Sequence, residues 1–435
     1  MKKFFIKKEA FVPVENGKVK LYGCGVTPYD HAHIGHGRSY VFIDTLVRFL
    51  KYIGYDVTYV RNVTDIDDKL LKKAEAAGDI MGYRAIAKKF TELYQQEMRE
   101  LNCLAPNIEP TVTDNIDAII GFIEGLIKRN KAYVVNGDVY FDVASYGSYG
   151  ELSGKNLDDL LAGARVEVDT RKKSPADFAL WKGNKNGQFW KSPWGYGRPG
   201  WHIECSALAK KCLGVTIDIH CGGMDLLFPH HENERAQSES LHDKPFANYW
   251  IHNALLNIDK KKMSKSLGNI LSLQQIFETY DPMVLRYYFL QHHYRTPIEF
   301  SFEMLDAAQV AYKKLVALFE PVSCQIGENK LNHSMVDALC DDLNTPRALG
   351  ILFENLAKIR SDQTLIGQVK NFLVTVFGLT FKQIEKKIEV TPEIERLLLQ
   401  REAARLEKRW GEADRLRDRL RELGYGVQDK QLRKN

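Results

Sequence analysis

Hydrophobic and polar positions follow two periods in the first part of the chain. Lys18 to Tyr22 alternates as a strand, and apolar residues from Phe42 to Ile53 then recur three and four apart, which predicts a helix. Gly54 follows where a C-terminal cap belongs, and Val57 to Val60 predicts the next strand. A strand, turn, helix and strand in this order build a parallel sheet, whose first turn is a usual ligand site.

The pattern beyond residue 68 divides the chain further. Helical segments are predicted at about 69–101 and 114–130, and Asn136-Gly137 between alternating residues is a hairpin signal. The sheet pattern resumes with a helix from Glu204 to Leu213 and a strand from Val215 to His220, and nearly everything from 272 onward is helical. We predict an α/β fold with a Rossmann-like parallel-sheet domain, an inserted α+β domain, an α-helical bundle and a small C-terminal domain. The predicted boundaries are 1–111, 112–199, 200–255, 256–304, 305–390 and 391–435.

Composition indicates an ordinary globular protein with a large core, since 44% of residues are hydrophobic and 27% charged. The net charge of +5 permits nucleic acid binding without arguing for it. Seven scattered cysteines argue against a disulfide framework and favour reduced thiols, some of them metal-bound. The apolar run Phe4 to Ile6 is too short for a signal peptide, and no run approaches the ~18 residues of a membrane helix. We therefore expect a cytoplasmic protein without a membrane segment.

The turn after the first strand is a candidate phosphate site. His33 and His36 are three apart, so on a helical turn they share one face. Gly35 would let a ligand approach the backbone, and the start of the helix offers unpaired N–H groups and a partial positive charge. This face could hold and protonate a triphosphate. The alternative is a helix start with surface histidines.

A second cationic segment, Lys260 to Asn269, concentrates lysines, hydroxyls and a glycine in one loop. Lysine is a mobile point charge suited to phosphates, and a loop that closes over a triphosphate would stabilise charge developing on its oxygens. A basic loop alone is most often only solvated. In combination with the His33 turn, it becomes a specific signal for a triphosphate site.

The segment Pro229 to Glu234 is a candidate half of a zinc site. It begins with proline, which is favoured at the first position of a helix. His230 and Glu234 are four apart and share a face, as His231 and Glu234 do less well. The remaining ligands would be thiolates or further nitrogens, and the candidates are Cys24, Cys205 and Cys221. The alternative is a capped helix with satisfied polar residues.

Two charged segments each have two interpretations. Arg61 to Asp68 follows a strand, where open α/β sheets place ligands, but it could equally be an N-cap cluster for a helix from Lys69. The mixed charges of 391–435 are typical of a solvated helix face, and a tRNA-facing helix is the alternative.

His33-Ile-Gly-His36 and Lys262-Met-Ser-Lys-Ser266 together resemble the two signatures of class I aminoacyl-tRNA synthetases. The finer resemblance is to the cysteinyl-tRNA synthetase family, and it covers nearly the whole chain. The segments that carry it are 22–30, 62–68, 197–205, 228–234 and 341–346.

The resemblance implies site residues of three kinds. It implies a zinc ion, one per subunit, on Cys24, Cys205, His230 and Glu234. It implies a cysteine pocket that includes Cys24, Thr64, Trp201 and His202. It implies that ATP, accompanied by Mg²⁺, contacts His33, Gly35, His36, Lys262, Ser264 and Lys265, with His33, His36, Lys262 and Lys265 acting in catalysis.

The activity implied is ATP-dependent ligation of L-cysteine to tRNA(Cys) through a cysteinyl-adenylate, by a monomer. Residues 256–304 resemble the family's lysine-loop and stem-contact region, 305–390 its anticodon-binding bundle, and 391–435 a shortened C-terminal domain. One departure is that Cys221 and Met224 stand where members more often carry Gly and Ser.

Two other functions are alternatives to this one. A cysteine ligase acting on an amino-sugar inositol in mycothiol synthesis would lack the helical region 305–435. A catalytically silent tRNA-binding paralogue would lose the phosphate-handling residues, yet His36, Lys262 and Lys265 are present.

Overall fold

The computed structural model describes residues 2–155, 171–258, 261–262, 271–382, 392–407 and 409–423. The strands are β1 Phe5–Ile6, β2 Glu9–Ala10, β3 Lys18–Val26, β4 Asp56–Val63, β5 Ala132–Val135, β6 Asp138–Phe141, β7 Phe178–Gly183, β8 Trp190–Ser192, β9 Gly195–Pro199, β10 Ile217–Gly223, β11 Ala247–Asn253, β12 Leu256–Ile258, β13 Lys261–Lys262 and β14 Ile298–Phe300. The helices are α1 Ile34–Tyr52, α2 Asp68–Ala76, α3 Tyr83–Glu100, α4 Ile116–Lys128, α5 Trp201–Leu213, α6 Glu232–His242, α7 Leu273–Thr279, α8 Pro282–Leu290, α9 Phe302–Phe319, α10 Lys330–Cys340, α11 Thr345–Glu354, α12 Leu356–Arg360, α13 Gln363–Phe377, α14 Pro392–Leu406 and α15 Trp410–Glu422.

A four-stranded parallel sheet in the order β11-β10-β3-β4 forms the centre of the protein. In the middle strand, Tyr22 is paired with His220 on one side and with Val60 on the other. Because all four strands are parallel, their carboxyl ends meet at one edge, which is where such sheets bind ligands. The predicted strands and the helix between the first two are present. Strand β3 continues to Val26, α1 begins already at Ile34, and β10 runs from Ile217 to Gly223.

Helix α1 connects β3 to β4 and packs against the sheet. Its residues from Tyr40 to Val47 are all buried, as are Phe49 and Leu50, so the helix is covered on nearly every side. The helix ends at the predicted place, where Gly54 has a φ of +100° that side chains rarely adopt.

The segment between the two halves of the central sheet carries a second, antiparallel sheet in the order β5-β6-β7-β9-β8. The predicted hairpin joins β5 to β6, and Asn136 and Gly137 both have positive φ, 50° and 90°. This is the backbone that a two-residue turn between twisted strands requires. Residues 156–170 of this segment lie outside the described range.

The described residues after 271 are mostly helical, as predicted. An exception is the three-residue strand β14, which pairs in parallel with β12 before the lysine-rich loop. Helices α14 and α15 pack on each other around Ile394, Leu397 and Leu420, a small cluster distinct from the two large cores.

Candidate active site and metal centre

Helix α1 begins with a capping box made of two histidines. The Nδ1 atom of His33 accepts a hydrogen bond from the backbone N–H of His36 at 3.3 Å, and Nδ1 of His36 accepts from the N–H of His33 at 3.2 Å. The two rings stack with centroids 3.7 Å apart. Because each Nδ1 is an acceptor, each neutral ring carries its proton on Nε2. The two histidines thus share a face, and their tautomers are fixed by the backbone.

Burial lowers the pKa of His36 well below its ordinary value, and neighbouring His33 and Lys69 lower it further. A neutral ring donates a hydrogen bond from Nε2 but has no extra proton to transfer. The chain by itself therefore favours hydrogen bonding by His36 over the protonation of a phosphate that the sequence suggested.

The lysine-rich loop rejoins the described structure beside this turn. The N–H of Ile34 donates to the carbonyl of Leu271 at 2.9 Å, and the N–H of Leu273 donates to that of Ala32 at 2.7 Å. Lys262 is described only as part of the short strand β13, and Ser264 and Lys265 lie outside the described residues. The structure thus brings the end of the loop to the start of α1 without describing its predicted contacts.

Cys24, Cys205, His230 and Glu234 converge, although they come from β3, α5, the turn before α6 and α6 itself. Their donor atoms all lie within 4.8 Å of one another. The thiols are 4.0 Å apart, Cys24 Sγ lies 3.5 Å from Glu234 Oε1, and His230 Nε2 lies 3.0 Å from the same oxygen. All four residues are at most 6% exposed. We call these four residues the quartet.

The donor set and spacing of the quartet suit a zinc ion. Bonds of about 2.0–2.3 Å in a tetrahedron separate the ligand atoms by roughly 3.3–3.8 Å, close to the distances observed. Burial raises the pKa of the Cys24 thiol well above its ordinary value, and the nearby Cys205 and Glu234 add to the shift. Burial also lowers the pKa of His230 to about 3, so its imidazole is neutral and available as a ligand. A cation would therefore be needed to hold both sulfurs as thiolates.

Three further histidines surround the quartet. The resemblance implied His202 as a pocket residue, His231 was the less well placed metal candidate, and His220 was assigned only to a strand. His202 Nδ1 lies 2.9 Å from His230 Nδ1, His231 Nε2 lies 3.2 Å from Cys24 Sγ, and His220 Nε2 lies 2.8 Å from Glu234 Oε2. Cys24, His220, His231 and Glu234 form a second set of four with donor atoms within 4.8 Å. Such partners orient ligands and fix tautomers.

Cys221, the remaining thiol candidate, faces away from the quartet. It follows His220 in β10, and successive side chains of a strand point to opposite faces. Cys221 belongs to the core on the α1 side of the sheet, whereas Cys24 and Cys205 belong to the other core. The strand period alone predicts that His220 and Cys221 face opposite sides of the sheet, so that only one of them lies beside the metal ligands.

The predicted cysteine-pocket residues adjoin the quartet in different ways. Trp201 is 41% exposed and its ring stacks on His230 with centroids 4.2 Å apart. Thr64 is buried, and its hydroxyl donates to Glu204 Oε2 at 2.8 Å and accepts from Asn62 at 3.2 Å. Trp201 thus flanks a ligand of the quartet directly, whereas Thr64 is connected to it through Asn62, whose Oδ1 accepts from Cys205 Sγ at 3.7 Å.

A cleft of about 320 Å³ joins the start of α1 to the quartet. Cys24 and Trp201 line it together with His33, Gly35 and His36. Members of both groups of predicted residues therefore face one cavity at the carboxyl edge of the parallel sheet.

The acidic turn after β4 serves as a helix start, one of its two interpretations. Asp67 is the N-cap of α2 and accepts from the N–H of Lys69 at 2.8 Å. Asp68 pairs with Lys182 and Arg198 of the antiparallel sheet, which ties that sheet to the segment carrying Thr64. Helix α6 differs from expectation in that it begins at Glu232 rather than at Pro229.

Gly25, next to Cys24, has no room for a side chain, and we expect Gly25→Ala to disturb the quartet. A Cβ there would lie 1.5 Å from the carbonyl oxygen of Asn62, so β3 and β4 would have to separate. Overpacking of this kind costs about 1–3 kcal/mol. The variant should melt at a lower temperature and bind less zinc.

The control for this variant is Gly121→Ala in α4, where an added Cβ meets no atom within 4 Å. It should melt at the wild-type temperature or slightly above it, because alanine favours a helix more than glycine does. An unchanged melting temperature and zinc content in Gly25→Ala would contradict the packing argument.

Comparison with known proteins supports the class that this fold and site suggest. Residues 10–310 match the family profile described as tRNA synthetases class I (C) catalytic domain. Residues 335–382 match the DALR domain, and 388–434 match the cysteinyl-tRNA ligase anticodon binding domain. These matches confirm the predicted fold class and place the chain among the class I aminoacyl-tRNA synthetases.

Curated relatives narrow the assignment. The chain is 45% identical to the cysteine–tRNA ligase of Geobacillus thermodenitrificans, over 97% of this chain and 95% of the relative. It is 44% identical to that of Methylococcus capsulatus, over 97% of this chain and 96% of the relative. The chain belongs to the cysteine–tRNA ligase family, as its sequence motifs had indicated.

Solved structures with lower identity share the fold. The Mycobacterium tuberculosis methionyl-tRNA synthetase in complex with methionyl-adenylate superposes with a TM-score of 0.57 at 15% identity, covering 83% of this chain and 90% of that one. The Agrobacterium radiobacter LeuRS–tRNA–LeuAMS complex gives a TM-score of 0.59 at 12% identity, covering 85% and 84%. Among the described residues, no helix is long and apolar enough to cross a membrane.

Proposed function

We propose that the chain activates L-cysteine with ATP, transfers it to tRNA(Cys), and selects cysteine through a zinc ion held by Cys24, Cys205, His230 and Glu234. The observation that carries the proposal is that Cys24 lines the same cleft as His33 and His36. A substrate cysteine whose thiol is held at the quartet would extend its carboxylate along the cleft toward the start of α1.

Zinc would supply a Lewis acid that prefers sulfur and lowers the pKa of a bound thiol, which a serine hydroxyl matches poorly. Shape alone would discriminate cysteine from serine by only about 1–3 kcal/mol. Three protein ligands and one open position are typical of zinc sites that bind a substrate. Glu234 is therefore proposed to be the weak member of the quartet, the one that makes room for the incoming sulfur.

The start of α1 would bind the ATP phosphates. Its first N–H groups and the Nε2–H groups of the two stacked histidines supply donors, and the helix dipole favours the negative charge. The amino acid carboxylate attacks the α-phosphorus in line, forming the cysteinyl-adenylate and releasing pyrophosphate. Lys262 and Lys265, with the Mg²⁺ that accompanies ATP, are proposed to neutralise charge on the leaving group.

The transfer step would use the rest of the chain. We propose that the helical region 305–390 and the segment 391–435 hold the tRNA, and that the chain acts as a monomer. The 2′-hydroxyl of the terminal ribose would attack the carbonyl carbon of the adenylate, releasing AMP. The inositol-linked alternative is disfavoured by the matched region 388–434.

Cysteine-dependent ATP–pyrophosphate exchange, combined with metal analysis, tests this proposal. The purified chain should hold about one zinc and exchange pyrophosphate with cysteine but hardly with serine. It should then charge tRNA(Cys) and leave an amino-sugar inositol unmodified. Absence of exchange in a zinc-containing, folded chain would reject the enzyme function, and exchange without tRNA charging would reject the acceptor.

A further inference from the structure

We propose that His220 is a positioning residue that keeps Glu234 a one-oxygen ligand, so that a substrate sulfur can enter the metal centre. The inference rests on the proposed function, since it concerns how the quartet accommodates a thiol. It adds a residue outside the quartet that decides how strongly the fourth ligand is held.

The two carboxylate oxygens of Glu234 have different surroundings. Oε1 faces the quartet, at 3.0 Å from His230 Nε2 and 3.5 Å from Cys24 Sγ. Oε2 instead lies 2.8 Å from His220 Nε2. Both side chains are 0% exposed, so water does not compete for either oxygen. Only one oxygen is therefore directed at the metal position while the other is bound to His220.

The direction of this hydrogen bond is fixed. A carboxylate only accepts, so Nε2 of His220 must carry the proton. His220 Nδ1 has no hydrogen-bond partner among the described residues, which suits an unprotonated ring nitrogen better than an N–H. His220 thus acts as a donor to Glu234.

The same tautomer argues against His220 as a metal ligand. Cys24, His220, His231 and Glu234 could form an alternative metal set. A metal on His220 Nε2 would move the proton to Nδ1 and leave a buried N–H without an acceptor, whereas ligating histidines usually donate their other N–H. The geometry favours the positioning role.

The ring of His220 is also held in place by three aromatic rings. Trp250 stacks on it with centroids 4.7 Å apart and planes 15° apart. Tyr22 and Phe246 meet it edge-to-face, with ring centroids at 5.4 and 5.5 Å. A ring so confined keeps its donor at one point. Oε1 could then give up its place at the metal to an incoming sulfur, while Oε2 stays hydrogen-bonded to His220.

Cobalt substitution tests the proposal, because Co²⁺ reports its coordination number through its visible absorption. In His220→Phe, Glu234 should turn both oxygens to the metal, weaken the visible bands, and bind cysteine about 10–100-fold more weakly, with the KM for ATP unchanged. His220→Gln should restore most of the band intensity and most of the cysteine affinity, since its amide can donate a hydrogen bond from nearly the place of Nε2. Should the Phe variant fail to fold, His220→Asn replaces it, because its shorter amide does not reach Glu234.

Cys221→Ser is the matched control, since it alters the next residue of the same strand on the opposite face, and it should behave as wild type. Wild-type spectra and cysteine affinity in both the Phe (or Asn) and Gln variants would overturn the inference. Loss of the metal itself in His220→Phe and His220→Gln alike would also overturn it, because His220 would then be a ligand. A wild-type chain that binds no metal would instead reject the proposed zinc centre, and this inference with it.

Discussion

A Cys205→Ser chain should lose most of its bound zinc and most of its preference for cysteine over serine. The substitution removes one of the two sulfurs of the quartet, and a serine hydroxyl does not ionise readily in a buried site. What remains is a pocket that tells the two amino acids apart mainly by shape, worth about 10–200-fold. Exchange measured with cysteine and with serine, alongside zinc content, gives the result directly.

Cys212→Ser is the matched control for this prediction. Cys212 lies on the same helix, α5, but is only partly buried and is not among the donor atoms that converge. Its zinc content and selectivity should equal those of wild type. If Cys205→Ser retained wild-type selectivity, selection by a metal-bound thiolate would have to be abandoned, whatever the exchange activity.

The local elements of the site could be predicted because short-range rules determine them. The strand before His33, the helix after it and its end at Gly54 follow from residue periodicity and from the backbone freedom of glycine. The histidine capping box went unpredicted, because histidine is not among the residues usually expected at an N-cap.

The long-range part of the site was accessible only through the family resemblance. Cys24, Cys205 and Glu234 come from distant segments, and their spacing in sequence contains no information about their separation in space. His220 was predicted to be in a strand, but its role depends on which face that strand turns to Glu234. Sheet order decides this, and periodicity does not reveal it.

Arg286 is a buried cation that the sequence analysis also missed, although its position in an apolar stretch of α8 is a visible signal. Its side chain is 0% exposed and pairs with Asp44 of α1. It also donates to the carbonyls of Phe377 at 2.6 Å and Leu101 at 2.8 Å, near the ends of α13 and α3. A cation there compensates the partial negative charge of two helix C-termini. Arg286 thus joins α1 to the helical bundle that precedes residues 388–434.

We expect Arg286→Met to destabilise the chain by about 3 kcal/mol. Two buried carbonyls lose their donor, at about 1–3 kcal/mol each, and buried Asp44 keeps Arg48 as its cationic partner. Thermal unfolding should begin well below the wild-type temperature. The contacts of Arg286 connect α1 to the helical bundle. At a temperature where the variant is folded, charging of tRNA(Cys) should therefore fall more than cysteine-dependent pyrophosphate exchange. Arg286→Lys should be intermediate, since a single ammonium group cannot reach all three partners.

Lys18→Met provides the control, because Lys18 pairs with Glu15 at a site where both side chains are 56% exposed. Exposed ion pairs contribute little to stability, so this variant should unfold as wild type does. An Arg286→Met chain as stable as Lys18→Met would mean that the buried pair is replaceable by an apolar side chain of similar length. Equal losses of exchange and charging would mean that the contacts of Arg286 stabilise the catalytic domain and do not affect how the chain holds the tRNA.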